Sequence, residues 1–291
     1  MNLHSRSLVL KKMNVNLKEN LVQNMVFITL LPDQPLIWNL LMGAVVMMIY
    51  VQGIILVMEK LVDSGTLSSD LTRKVIHIAA GSYIWIWLFI DTTDILSAMA
   101  NIIVPLLFFV TFLFKGYKAT PDDKDVKTMT RTGDPRELLK GPLYFTIVMV
   151  VAGTLFLNTW VGVFMMAVVG WGDGIAPYIG KKYGGKTYKT LGSEKTFTGS
   201  ISVFVFSVAG CLVFYGLLGI IGGLGGPLLP DPGIDIVQML IVIIVLGLAA
   251  MIVEAFSPSD IDNLLLPGST IVVMLVLNIL LEGTFFSIVS L

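Results

Sequence analysis

Residues 170–200 read GWGDGIAPYIGKKYGGKTYKTLGSEKTFTGS. An apolar run ends here at a single carboxylate, Asp173, between Gly172 and Gly174, and five lysines follow before the next apolar run opens. A carboxylate at the edge of a hydrocarbon layer is costly unless it is paired or holds a cation, so Asp173 reads as functional by default. Successive glycine amides can form an anion-binding concavity, and lysines supply compact point charges for phosphate. The combination reads as equipment for a phosphorylated ligand. The blander reading is a flexible, lysine-rich loop.

On either side of this stretch the chain is apolar almost throughout. Of its 291 residues, 55% are hydrophobic and 13% charged, with a mean hydropathy of +0.86. Soluble domains carry about a quarter charged residues, so an all-α integral membrane protein is expected. A spanning helix needs about 20 apolar residues. Runs near 36–58, 75–90, 95–114, 142–157, 159–180, 198–220, 234–253 and 264–289 meet or approach that, giving a polytopic bundle of about eight transmembrane helices. Asn158 and Thr159 alone separate the fourth and fifth, which reads as a tight helical hairpin. Residues 1–34 form a polar and interfacial amino-terminal segment, and 35–291 one polytopic domain. The apolar run 21–31 is followed by Pro32, Asp33, Gln34 and Pro35 rather than a small-residue cleavage site, unlike a signal peptide.

Charge sets the expected orientation. Loop 59–74 holds three Lys or Arg, loop 115–141 seven and loop 181–197 five, while 91–94, 158–159 and 221–233 hold none. Basic loops stay on the cytoplasmic side, so every polar cluster able to do chemistry is expected there. Arg6, Lys11, Lys12 and Lys18 resist this scheme, because eight spans put them outside. Either residues 21–31 contribute to a ninth crossing or the tail is tolerated there. The net charge of −1 gives no sign of nucleic acid, and the lone Cys211 excludes a disulfide framework or thiol metal site.

Four clusters carry candidate chemistry. In LTRKVIHIAAG, Arg73, Lys74 and His77 share one helix face; they read as a ligand clamp or as a juxtamembrane basic pair with a buried histidine. In DPRELLKGPLYF, Arg136, Glu137 and Lys140 precede the fourth span, where Gly141-Pro142 marks a helix start. In the central stretch, Thr196, Thr198 and Ser200 precede the sixth span, whose amino end also favours phosphate. In VEAFSPSDIDNLLLPGS, Glu254, Asp260 and Asp262 can help hold Mg²⁺, which takes one or two carboxylates plus phosphate oxygens. Equally, Asp260 or Asp262 can cap the last span. Residues 180–187, GKKYGGKT, match the P-loop pattern literally. That fold needs a preceding buried strand and a helix opening at the Lys-Thr. A membrane span precedes here and residues 188–197 read as loop, so the P-loop fold is rejected.

Together these clusters resemble the membrane polyprenol kinase family, which includes phytol kinase, dolichol kinase and the CTP-dependent diacylglycerol kinases, and they look closest to the phytol kinase branch. The matching residues are Arg73-Lys74-x-x-His77, Arg136-Glu137-Leu-Leu-x-Gly141-Pro142-Leu-Tyr144, Gly172-Asp173-Gly174-x-Ala176 with Gly180, Lys195-Thr196-x-x-Gly199-Ser200, and Glu254 with Asp262-Asn263. One position departs: Thr198 stands where the family often has Glu, so Glu194 or Glu254 must substitute or the nucleotide preference differs. The resemblance implies γ-phosphoryl transfer from a nucleoside triphosphate, usually CTP, with Mg²⁺, to the hydroxyl of a long isoprenoid alcohol. It implies metal ligation by Asp173, Glu254 and Asp262. Lys182, Lys186 and Lys195 would contact triphosphate, and Gly172, Gly174, Thr196, Gly199 and Ser200 would border it. Arg73, Lys74 and Arg136 would clamp phosphate, and His77 would orient the alcohol or act as base. Two rivals remain: a CTP-dependent cytidylyltransferase acting on a phospholipid such as phosphatidate, which would use the same residues, and a non-enzymatic polyprenyl-phosphate carrier, whose site is expected nearer mid-membrane. No organelle signal is evident, so a prokaryotic plasma membrane is the expected location.

Overall fold

The computed structural model describes residues 36–90, 95–191, 193–223, 231–258 and 261–286. The amino tail with its basic residues, loop 91–94, most of 221–233 and Asp260 lie outside the described residues.

Among the described residues seven helices are long and apolar enough to cross a membrane, and the chain is an all-α polytopic membrane protein. These are α1 (Leu36–Asp63), α3 (Met99–Lys118), α5 (Pro135–Leu155), α6 (Trp160–Tyr183), α7 (Phe197–Gly223), α8 (Ile236–Phe256) and α9 (Asp262–Leu280). Two shorter helices, α2 (Ser69–Gly81) and α4 (Lys124–Met129), intervene. The expected second span, residues 75–90, is not among these seven but lies within one continuous helical run, residues 69–89. Residues 75–90 begin inside α2, which ends at Gly81 and tightens into a 3₁₀ segment, Ser82–Phe89. That segment contains Tyr83, Trp85 and Trp87, aromatics that lose rotamer freedom in a helix.

Local chemistry sets the boundaries. Gly65, with φ +72°, follows the end of α1 in the left-handed conformation that glycine accepts without strain. The Ser68 hydroxyl accepts from Leu71 N at 3.3 Å and starts α2, with Asp70 favourably placed in its first turn. Thr159 caps α6 by accepting from Gly162 N at 3.1 Å, so the expected hairpin between the fourth and fifth spans is present. Asp235 and Gln238 form a reciprocal capping box at α8. Asp262 is not a cap: it occupies the first turn of α9, and its Oδ1 accepts from Asn263 N at 2.9 Å.

α6 is the axis of the bundle. Its membrane window is 83% buried, against 22–44% for the other six. Because it is enclosed all round, its apolar residues need no amphipathic pattern. Midway, Val168–Asp173 widens into a π-helical turn that ends at Asp173. Here α2 crosses α6 almost backbone to backbone. A Cβ on Gly81 would sit 2.5 Å from Gly170 Cα, the close approach that small residues permit between membrane helices.

Between α6 and α7 lies an antiparallel hairpin, β1 (Thr187–Thr190) and β2 (Ser193–Thr196), with Tyr188 opposite Lys195. This corrects the reading of residues 188–197 as loop. It agrees with rejecting a P-loop fold, because Thr187 opens a strand rather than a helix. Thr190 Oγ1 donates to Ala255 O at 2.5 Å, which pins the hairpin to the end of α8.

Candidate active site

The site begins with α2. Its first turns place Arg73, Lys74 and His77 on one face, and the Gly81–Gly170 crossing seats that face against the π turn of α6. His77 Nε2 lies 3.2 Å from Val169 O. A carbonyl only accepts, so Nε2 carries the hydrogen and Nδ1 is the acceptor of the neutral ring. The ring packs on Phe145 of α5, with centroids 4.3 Å apart. Arg73 donates to Asp70 at 2.7 Å and to Thr130 O at 3.2 Å, fastening the loop after α4 to α2.

These groups line a cavity of about 270 Å³. Its polar end is made by Arg73, Lys74, His77, Arg131, Lys140 and Asp173, with Glu137 and Asn263 beside them. Deeper along the helices the walls turn apolar: Val51 and Ile55 of α1, Val104, Phe108 and Phe112 of α3, and Met149 of α5. One container therefore offers charge at one end and hydrocarbon at the other.

Two groups at the polar end are buried. Lys74 is only 7% exposed, and among the described residues no hydrogen-bond acceptor is assigned to its ammonium. Burial pushes its pKa down to about 8, with the Asp173 charge acting in the opposite direction. Asn263 Oδ1 is buried with no hydrogen-bond partner. A buried cation and a buried acceptor without a hydrogen-bond partner, both on the wall of one cavity, suit a ligand that brings an anion and a hydroxyl or a cation.

The candidate residues read from the sequence divide into three sets. Arg73, Lys74, His77 and Asp173 come together in the cavity. Lys195, Ser200 and Glu254 form a second cluster beneath the hairpin. There Lys195 Nζ contacts Glu254 Oε1 at 2.6 Å, with side chains 9% and 11% exposed, and also donates to Glu254 O at 2.6 Å. Ser200 Oγ donates to the other carboxylate oxygen at 3.3 Å and also bonds to the Tyr188 hydroxyl. Asp262 lies between the two clusters, within electrostatic reach of Asp173 and Lys195. The third set stands apart. Arg136, Lys182 and Lys186 are exposed and do not line the cavity, and Lys182 sits 5.6 Å from the Tyr178 ring centroid.

The glycines and Thr196 have packing partners. A Cβ on Gly172 would strike Ser207 of α7, one on Gly174 would meet His77 and Ile78 of α2, and one on Gly199 would crowd Thr196 Oγ1. Thr196 Oγ1 in turn accepts from Gly199 N at 3.0 Å. Glu194 is exposed, so of the two candidates to substitute for the Glu absent at Thr198, only Glu254 is enclosed.

Sequence reading does not single out Arg131 as a site residue, and names Asn263 only as part of the Asp262-Asn263 motif. Arg131 is one of seven bases in a polar loop, and nothing local separates it from the others. Asn263 stands beside Asp262 in a recognisable pair, and that pairing is the signal available. For a hard cation, Asp173, Asp262 and Asn263 Oδ1 offer suitable oxygens, whereas the Glu254 carboxylate is already engaged by Lys195 and Ser200. Among the described residues no group of three or more His, Cys, Asp or Glu is gathered for a metal.

Fold and cavity thus define a polytopic α-helical membrane protein with an amphiphilic chamber at one end of its bundle. In sequence the chain is similar to proteins named as plant phytol and farnesol kinases. It is 29% identical over 234 residues to a probable chloroplastic phytol kinase of Zea mays, covering 77% of this chain and 72% of that one. It is 33% identical over 154 residues to the probable phytol kinase 1 of Oryza sativa subsp. japonica, covering 51% and 48%. It is 29% identical over 205 residues to the chloroplastic farnesol kinase of Arabidopsis thaliana, covering 68% and 62%. The chain spans about half the length of the rice relative it matches. No family model matches the chain, and no solved structure matches it. These names agree with the resemblance read from the five motifs. They place those relatives in chloroplasts, which lends no support to the expected prokaryotic plasma membrane.

Proposed function

We propose that this protein transfers the γ-phosphoryl group of a nucleoside triphosphate, CTP being the expected donor, to the hydroxyl of a long isoprenoid alcohol at the cytoplasmic membrane face. The observation that carries the reading is the cavity itself, whose buried Lys74 and Asp173 lie at one end and whose apolar walls lie at the other. A lipid alcohol needs that arrangement, with its tail in hydrocarbon and its hydroxyl among charges. Phosphoryl transfer asks the protein mainly for positioning and charge neutralisation.

In the step, the alcohol oxygen bonds to the γ-phosphorus, the bond from that phosphorus to the β-bridging oxygen breaks, and the nucleoside diphosphate leaves with its electron pair. His77 Nδ1 would take the hydroxyl proton, with Nε2–H engaged by Val169 O. Lys74 and Arg73 draw the triphosphate toward the chamber. Mg²⁺, when bound, neutralises phosphate charge, and Asp173, Asp262 and Asn263 are the residues that would hold it.

The test uses protein in detergent with Mg²⁺, CTP labelled on the γ-phosphate, and a pool of prenyl alcohols and diacylglycerol. Label in the extracted lipid establishes the kinase, and its chromatographic position names the acceptor. Pyrophosphate release with phosphatidate, and no labelled lipid, would replace this reading with a cytidylyltransferase. Neither product, with CTP or ATP, would leave a carrier.

A further inference from the structure

The apolar end of the cavity has an unusual wall. α1 and α3 meet at their amino-terminal ends, where a Cβ on Gly43 would run into the backbone of Ala100 and Asn101. Toward the site end they part. The Met47–Asp63 half of α1 packs on α2, and the Ile103–Lys118 body of α3 packs on α5, but these two segments scarcely touch one another. Val51 and Ile55 face the chamber from one side of this gap, and Pro105 and Phe108 from the other. The outer faces beside it are lipid-facing: Leu56 and Val57 on α1, Leu107 and Val110 on α3.

The chamber is also short. From Arg73 to Ala80 the α2 wall rises only about 10 Å, and about 270 Å³ is below the ~300 Å³ at which ligand pockets begin. A fifteen- or twenty-carbon prenyl chain whose hydroxyl sits near Lys74 and His77 therefore extends beyond the chamber. Polar groups block the charged end, and α6 closes the inner side.

We propose that the cleft between the carboxy-terminal half of α1 and the body of α3 is a lateral port, through which the tail of a single-chain prenyl alcohol enters from the bilayer and in which it lies during transfer. This rests on the lipid-kinase reading above. The α1–α3 contact at Gly43 is the closed end of the cleft, and the Phe108 ring sets its width. Specificity for tail length and branching then resides in apolar residues 51–55 and 104–112, away from the charged groups.

The experiment measures transfer from γ-labelled CTP to prenyl alcohols of five, ten, fifteen and twenty carbons, for the unaltered protein, Phe108→Trp and the outward-facing control Ile49→Trp. The unaltered protein is expected to show a KM that falls as the chain lengthens. Phe108→Trp raises KM for the fifteen- and twenty-carbon alcohols about tenfold or more, leaves the five-carbon alcohol unchanged and leaves kcat alone; Ile49→Trp changes nothing. Equal effects on short and long acceptors, or none, overturn the port. A second measurement needs no substitution: a farnesol analogue with a diazirine at its tail end is photolysed with the unaltered protein. Label on peptides from α1 and α3 supports the port, and label confined to other helices overturns it. If the unaltered protein phosphorylates no alcohol at all, the kinase reading fails, and the photolabelling still decides whether the cleft takes a prenyl chain.

Discussion

Lys74 concentrates the electrostatics of the site in one side chain. Its folded pKa of about 8 lies below the ordinary 10.5, which corresponds to a penalty on the order of 3 kcal/mol for keeping the buried charge. The lowered pKa fixes the sign. The penalty is fully present below about pH 8 and is relieved as pH rises toward 10.5, so the ligand-free protein gains stability over that window. Phosphate binding needs the charged form and runs the other way: affinity holds below pH 8 and falls above it. Lys74→Met is expected to raise the melting temperature of the ligand-free protein while losing most transfer, and Lys74→Arg to flatten the alkaline fall in nucleotide affinity. Thermal melts and a binding titration from pH 6.5 to 9.5 check both. Asp173→Asn should stay folded and lose transfer by about 100-fold or more, as removal of a metal-supporting group does. Near-normal turnover in that variant would sink its assignment. Asp173 was legible because a carboxylate inside an apolar run has few structural explanations. Arg131 was not, because in sequence it is one base among seven, and contacts such as the bond from Arg73 to Thr130 O bring its loop to the cavity.

At the scale of elements, two contacts organise the site. The first is the hairpin seated on α8 through the enclosed pair of Lys195 and Glu254. Removing one partner of a buried pair leaves an uncompensated charge and costs about 3–5 kcal/mol. Lys195→Met is therefore expected to destabilise by that order, and Lys195→Met with Glu254→Gln to recover most of it, as read from a double-mutant cycle of thermal stability. If Lys195→Met instead melts normally and abolishes transfer, Lys195 serves phosphate rather than Glu254. The second contact is the α2–α6 crossing. Gly81→Ala pushes a methyl into Gly170, which should cost about 1–3 kcal/mol and shift the Arg73, Lys74 and His77 face away from Asp173, lowering transfer together with melting temperature. In sequence, Gly172, Gly174 and Gly199 suggest room for phosphate. The structure assigns each a packing neighbour, a distinction no local pattern carries, because glycine serves close helix approach and anion cradles alike.

For the whole molecule, the basic loops predict that all candidate groups share one membrane face. Cys211 is buried in α7 and offers little background reactivity. Cysteines at the exposed positions Asp122 and Lys189 should therefore react with an impermeant thiol reagent from one side, and a cysteine at Asp231 only from the other. Labelling of Asp122→Cys and Asp231→Cys from the same side would break the one-face arrangement.

The sequence alone determined that this is a polytopic helical membrane protein, because about 20 apolar residues in a row admit few other structures. It also marked Arg73, Lys74, His77 and Asp173 as candidates for chemistry, because charge at the edge of hydrocarbon demands a reason. Only the tertiary structure decided that residues 82–89 tighten into a 3₁₀ segment, that Lys195 and Glu254 are paired with each other, and that α1 and α3 diverge around an amphiphilic chamber. Those outcomes depend on which faces meet across dozens of intervening residues. Backbone approach at Gly81 and Gly170 and at Gly43 and Ala100 sets that geometry, and it is a property of pairs that no single stretch of chain contains.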